Sequence, residues 1–265
     1  MTTELAPAPA AGTELPTDLP IVAGPKIAAL SCGKPAWLVV LLHEEGADGQ
    51  KVIDLALNWA PEMPKADFLA AEAPFPAPGG GRRWFPSDAM TPEAVSEGLA
   101  TAAPWLDAFL DRMLAERRLP DSHLALVGFS QGAMLALHVG LRRAACPALV
   151  IGFCGALPEA DDLADEIRAR PPVLLIHGEE DEVVPFAQMV ATRERLKALG
   201  VPAKSMRRPG LGHAIDDDGI LAAGGVLAAT LVKKPAAKDG HDDHDHDDHD
   251  HDDHDHDDHD HDHDH

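Results

Sequence analysis

The sequence predicts an α/β fold: a mainly parallel, doubly wound sheet flanked by helices, built as a single domain. Two observations carry this. Short, continuous apolar runs have the character of strands covered on both faces, and they alternate with longer helix-like stretches, which implies right-handed crossovers onto a parallel sheet. The apolar runs are residues 36–42, 68–71, 124–127, 148–153 and 173–176 (introduced by Pro171 and Pro172), and 203–206 is a last strand-like stretch. The helical stretches are 92–118, 131–143, 158–170 and 185–199. Thr91 ahead of Pro92 and Glu93 supplies a capping residue and a proline at the first helical position, and Gly200 stands where a left-handed residue ends a helix.

A chain of 265 residues with 45% hydrophobic content has enough apolar surface for one sizeable core. Residues 1–24, rich in Ala and Pro, bury too little to offset the entropy of ordering and read as a disordered leader. The folded body is expected over 25–234, and 235–265 reads as a disordered Asp/His-rich tail. The formal charge of −23 includes 14 aspartates in the last 25 residues, so the rest carries only −9. No Lys/Arg cluster offers a phosphate-binding stripe, which argues against nucleic acid and against an anionic membrane surface. Cys32, Cys146 and Cys154 are too few for a disulfide framework and read as small buried side chains in a reducing compartment. The N-terminus lacks a secretion signal's basic and apolar regions, and no run approaches a bilayer-spanning length. A cytoplasmic location is the expectation, and a homodimer is left open.

Chemistry concentrates at Gly128-Phe129-Ser130-Gln131-Gly132, which follows the apolar run 124–127 and precedes a helix-forming stretch. Strand, sharp turn and helix make this a nucleophile elbow, in which the serine sits on a strained turn and the glycines allow strand and helix to approach. A serine hydroxyl needs a histidine base, and the base needs a carboxylate to fix its tautomer and stabilise its charge. In this arrangement the order along the chain is serine, acid, histidine. Of the five histidines in the body, His43 and His123 precede Ser130, His138 lies within the following helix, and His177 ends the strand expected to deliver the acid. His213, in the Gly-rich loop 209–215, remains as the base. Glu179, Glu180, Asp181 and Glu182 compete for the acid, and spacing alone does not choose among them. The Gln131 N–H, directly after the nucleophile, is one expected donor to the oxyanion.

These segments resemble the phospholipase/carboxylesterase family of α/β-hydrolases, which includes bacterial carboxylesterases and eukaryotic acyl-protein thioesterases. The resemblance spans roughly 25–232 and rests on the elbow, on Phe153-Cys154-Gly155-Ala156-Leu157-Pro158, on His177-Gly178-Glu179-Glu180-Asp181-Glu182-Val183-Val184-Pro185 and on Gly212-His213. It implies the α/β-hydrolase fold and selects Asp181 as the acid, with His177 as scaffold for the acid loop. It implies a second oxyanion donor from the loop His43-Glu44-Glu45-Gly46, namely the Glu45 N–H. Glu44 stands where the family has glycine, which predicts backbone strain and an adverse charge, or else a taste for cationic substrates. The Trp84-Phe85 pair resembles the aromatic step that the family carries near the acyl site, with core packing as the alternative reading, and Leu157 is a further candidate for substrate contact. With no tyrosine and 4% aromatics, the pocket is expected to be aliphatic, lined by Leu and Met.

The implied activity is hydrolysis of carboxylic esters with short to medium acyl chains, through an acyl-enzyme and without a cofactor. Acyl thioesterase or lysophospholipase activity is the alternative within the family. An alternative of another class comes from the tail, where His-Asp-Asp-His-Asp repeats four times before His-Asp-His-Asp-His. Its imidazoles, beginning with His241, His244, His246, His249 and His251, suit loosely bound Zn, Ni or Cu. The chain would then be a metal-sequestering protein carrying a hydrolase body.

Overall fold

A computed structural model describes residues 20–86, 91–159 and 162–232. The first 19 residues and the Asp/His tail, with the five named tail histidines and the expected boundary at 234, lie outside the described residues. In chain order the strands are β1 (Val22–Ile27), β2 (Trp37–Leu42), β3 (Ala66–Glu72), β4 (Phe75–Pro76), β5 (Arg82–Arg83), β6 (Leu124–Phe129), β7 (Leu149–Phe153), β8 (Val173–Gly178) and β9 (Ala203–Arg208). The helices are α1 (Gly49–Ile53), α2 (Pro92–Arg117), α3 (Gln131–Arg142), α4 (Leu163–Glu166), α5 (Phe186–Ala198) and α6 (Asp217–Leu231).

Seven strands form one sheet in the order β1-β3-β2-β6-β7-β8-β9, while β4 and β5 pair as a separate hairpin. Every pairing in the sheet is parallel except that of β1 with β3. Side chains alternate across the strands, so each apolar run feeds two cores. Leu38, Val40 and Leu42 of β2 join one core, and Val39 and Leu41 join the other. On the first face lie α2, α3 and α5; on the second lie α1 and α6. Burial on both faces explains why these strands read as unbroken hydrophobic segments.

The chain steps outward from β2 to β3 and then returns past β2 to β6, so strand order reverses between β2 and β6. A crevice opens at such a reversal, beyond the carboxyl ends of the strands. The loops after β2 and β6 therefore meet there.

The helix signals act as expected at both ends. Thr91 Oγ1 accepts the Ala94 N–H at 3.3 Å, and Gly200 takes φ +75° after α5. Other parts differ from the expectation. Among its described residues the stretch 158–170 forms only the single turn α4, and the Arg168 and Ala169 N–H groups both turn to the Leu141 carbonyl at the end of α3. Order begins before residue 25: β1 starts at Val22, and Ile21 is wholly buried in the first core. The edge pairing with β3 supplies the partner that the leader composition conceals. Of the three cysteines only Cys154 is buried, while Cys32 and Cys146 are exposed. No helix among the described residues is long and apolar enough to cross a membrane.

Ile21 tests where the fold begins. Ile21→Ala deletes buried methylenes and is expected to lower stability by about 2–5 kcal/mol, read from the shift in a urea unfolding midpoint.

Candidate active site

Ser130 adopts φ 54°, ψ −120° between β6 and α3. For a residue with a Cβ this conformation costs about 1–3 kcal/mol and persists only where surrounding packing over-determines it. Here the packing comes from backbone contacts. A Cβ on Gly132 would lie 2.3 Å from the Leu42 carbonyl oxygen, and one on Gly128 would lie 2.4 Å from the Gly132 carbonyl oxygen. The Ser130 N–H donates to the Phe153 carbonyl at 2.9 Å, and its own carbonyl accepts the N–H groups of Ala133 and Met134. The side chain is thus aimed out of the sheet's end.

The candidate acid and base come from neighbouring loops stitched together by their backbones. β8 and β9 pair up to Gly178 and Arg208; beyond them the Glu179 N–H donates to the Arg208 carbonyl and the Glu180 N–H to the Leu211 carbonyl. This brings Asp181 and His213 to Ser130. His213 Nε2 lies 2.9 Å from Ser130 Oγ, and His213 Nδ1 lies 2.8 Å from Asp181 Oδ2. An ionised carboxylate only accepts, so Nδ1 carries the proton and Nε2 is free to accept the serine hydroxyl. The Phe129 ring stacks on His213 with centroids 5.1 Å apart.

Asp181 also accepts the Val183 and Val184 N–H groups on Oδ1, at 2.9 and 2.8 Å. Burial opposes its charge, but the His213 ring and these two amides outweigh burial and hold the carboxyl below its ordinary range. His177 supports it as the resemblance implies: its Nε2 lies 2.8 Å from the Val184 carbonyl and 3.1 Å from Asp181 Oδ2. Burial lowers the His177 pKa and favours its neutral form. Cys154, at φ 46°, reaches the Ala214 carbonyl beside the base. Cys154, His177 and Asp181 have potential ligand atoms within 4.8 Å of one another. They make a poor metal site, because burial pushes the thiol up to about 11 and the histidine proton is already bonded.

On the other side of Ser130, His43 Nδ1 donates to the Glu44 carbonyl at 2.7 Å and Nε2 accepts the Ala73 N–H at 3.2 Å. Burial lowers its pKa, in keeping with this neutral tautomer. The N–H groups of Gln131 and Glu45 have no acceptor among the described residues. Glu44 does not have a positive φ, so the glycine's conformational freedom goes unused and the expected strain is absent. The Glu45 carboxylate is occupied by the Gln131 side-chain amide and by Arg83.

Of their two readings, Trp84 and Phe85 follow core packing. Both are fully buried in the first core. The Trp84 indole donates to the His43 carbonyl at 2.7 Å, and its backbone N–H donates to Gln131 Oε1 at 2.6 Å. They brace the loop that begins at His43 and the Gln131 side chain from within the core. Leu157 does line a cavity of about 210 Å³, with Val95, Met134, Ala156, Val183 and Val184. Its apolar wall is aliphatic. The Gln131 side chain, which also donates to the Phe85 carbonyl at 3.1 Å, is a structural tie that the motif did not reveal.

The phospholipase/carboxylesterase family profile matches residues 27–230. The chain belongs to this family. A crystal structure of esterase PE8 is 40% identical, with a TM-score of 0.76, and covers 79% of this chain and 99% of that one. Esterase YpfH of Escherichia coli K12 is 29% identical over 79% of this chain and 93% of its own. Acyl-protein thioesterase 1 of Gibberella zeae is 25% identical over 66% of this chain and 83% of its own. The protein is thus a hydrolase of the phospholipase/carboxylesterase family, with the α/β-hydrolase fold.

Asp181→Asn tests the buried carboxylate. The depressed folded pKa means that its stabilisation is complete above about pH 4, the unfolded value, and is lost as pH falls through the folded value. The thermal midpoint of the wild type should therefore exceed that of Asp181→Asn at pH 7, and the gap should close on acidification.

Proposed function

We propose that the protein is a serine carboxylesterase that cleaves esters of short to medium acyl chains through an acyl-enzyme on Ser130. The observation that carries this reading is the continuous relay from Ser130 Oγ through His213 to Asp181, at 2.9 and 2.8 Å, on a strained elbow. As Ser130 Oγ attacks the ester carbonyl, His213 Nε2 takes its proton, and Asp181 stabilises the resulting imidazolium without taking a proton itself. The Gln131 and Glu45 N–H groups, with no acceptor inside the chain, suit the oxygen on which negative charge develops. His213 returns the proton to the departing alkoxide. Water then repeats the sequence on the acyl-serine and releases the acid. Every proton moves through His213, so the reaction calls for no cofactor.

The aliphatic cavity beside Met134 and Leu157 suits the acyl chain, and its modest volume favours the shorter ones. Acyl thioesters are the second reading, favoured by the likeness to acyl-protein thioesterase 1. The attack and the oxyanion are the same, and the better thiolate leaving group asks less of His213.

A fluorophosphonate probe with peptide mapping should label Ser130; labelling elsewhere would reject the assignment. Ser130→Ala should lose about 10⁴-fold or more of p-nitrophenyl acetate turnover while keeping its fold. Asp181→Asn should be severely impaired and Glu180→Gln should not. Leu157→Phe narrows the cavity and should move the optimum in a p-nitrophenyl ester series toward shorter acyl chains.

A further inference from the structure

Glu45 is an awkward residue at its position. Its N–H is one of the two amides assigned to the oxyanion, and a carboxylate on the same residue opposes negative charge developing there. Two partners occupy that carboxylate. Oε2 accepts the Gln131 side-chain amide at 3.3 Å, and Oε1 faces Arg83 Nη1 at 3.7 Å. Both draw it toward the β4–β5 hairpin, because the same Gln131 nitrogen also donates to the Phe85 carbonyl.

The hairpin delivers Arg83 to this point. Phe75 pairs with Arg83 across β4 and β5, and the oxyanion loop is tied on by Gly46 N–H to the Arg82 carbonyl at 2.9 Å and Arg82 N–H to the Ala47 carbonyl at 2.8 Å. The two arginines differ in their work. Arg82 fastens the hairpin, donating through Nε to the Ala73 carbonyl and through Nη2 to the Pro74 carbonyl. Arg83 Nε is buried without a partner, and Glu45 is the one carboxylate in ion-pair contact with this guanidinium among the described residues. Its side chain is only 15% exposed, so the positive charge sits in a site less screened than open surface. Such a charge calls for a counter-ion, and the hairpin itself does not need it.

We propose that Arg83 is a positioning residue for catalysis, holding the Glu45 carboxylate on the hairpin side and away from the oxyanion-binding amides. This deepens the reading of Ser130 as nucleophile and rests on it. Without Arg83, one amide hydrogen bond remains to hold a charged side chain that is 34% exposed, and the carboxylate becomes free to turn toward the oxyanion site. The effect runs through Glu45. Removing its charge therefore removes the need for Arg83.

The test is a double-mutant cycle on the full chain, read by kcat on p-nitrophenyl acetate and by the rate at which a fluorophosphonate labels Ser130. Arg83→Met should lower both rates about tenfold, since mispositioning one oxyanion feature costs less than deleting a donor. In a Glu45→Gln background, which keeps an acceptor for the Gln131 amide, the same Arg83→Met change should alter both rates less than twofold. Arg83→Lys should recover part of the loss. Wild-type rates in Arg83→Met would overturn the proposal. So would an equal loss in both backgrounds, because a purely structural role, or a direct field from the guanidinium, is indifferent to the charge on Glu45. Failure to label Ser130 in the unmutated protein would instead remove the nucleophile assignment on which the proposal stands, which separates the two failures.

Discussion

The first turn of α3 presses against the end of β2 through bare backbone, and the rest of the site depends on that contact. Leu42 is in register with Gly128, so the strand leading to Ser130 and the strand leading to the loop of Glu45 finish side by side. Gly132 then lies so close to the Leu42 carbonyl that no side chain fits between them. This contact brings the Gln131 N–H and the loop of Glu45 to the same end of the sheet, and it helps hold Ser130 at a backbone conformation it would not adopt alone. Asp181 and His213 need only be delivered to a fixed point. β8 and β9 do that by pairing to their last residues and continuing their hydrogen bonds into the loops.

Much of this was legible in the sequence, for reasons that differ between elements. Strands buried on both faces leave unbroken apolar runs, and five of the six parallel strands are visible for that reason; β9, at the sheet edge with Lys204 and Ser205 in its first half, reads only as a strand-like stretch. Ser130 and His213 stand out because the elbow has a tight local pattern, chain order sets aside His43 and His123, and positions in a helix and at a strand end set aside His138 and His177. Asp181 could not be separated from Glu179, Glu180 and Glu182 by residue type. Only the family motif picked it out, and in the structure it alone meets His213 Nδ1 among the described residues.

The unread parts share a cause. β1 is an edge strand of mixed exposure whose antiparallel partner lies some 45 residues away in sequence, so local composition resembles the leader more than the sheet. α6 leaves little trace in the local pattern, although Asp216 caps it through the Gly219 N–H. Its apolar residues pack under the second face, and its glycines disguise the helix; at Gly224 the chain makes room for Trp59. Trp84 and Phe85 illustrate the opposite hazard. An aromatic pair near a site invites a substrate role, yet a fully desolvated indole that donates to the His43 carbonyl is part of the wall behind the site. Burial and direction are tertiary properties, and a residue name contains neither.

Ser130 and Cys154 follow adjacent parallel strands, and both have a positive φ. Their reactivities are set in opposite senses. The hydroxyl, the weaker nucleophile by nature, meets a base; the thiol, the stronger one, is buried and held protonated to about 11. The sulfur beside the relay is therefore chemically quiet, and electrophiles and oxidants that seek thiolates meet the exposed Cys32 and Cys146 first. The framework around Ser130 thereby includes an easily polarised atom that stays in its protonated, unreactive form.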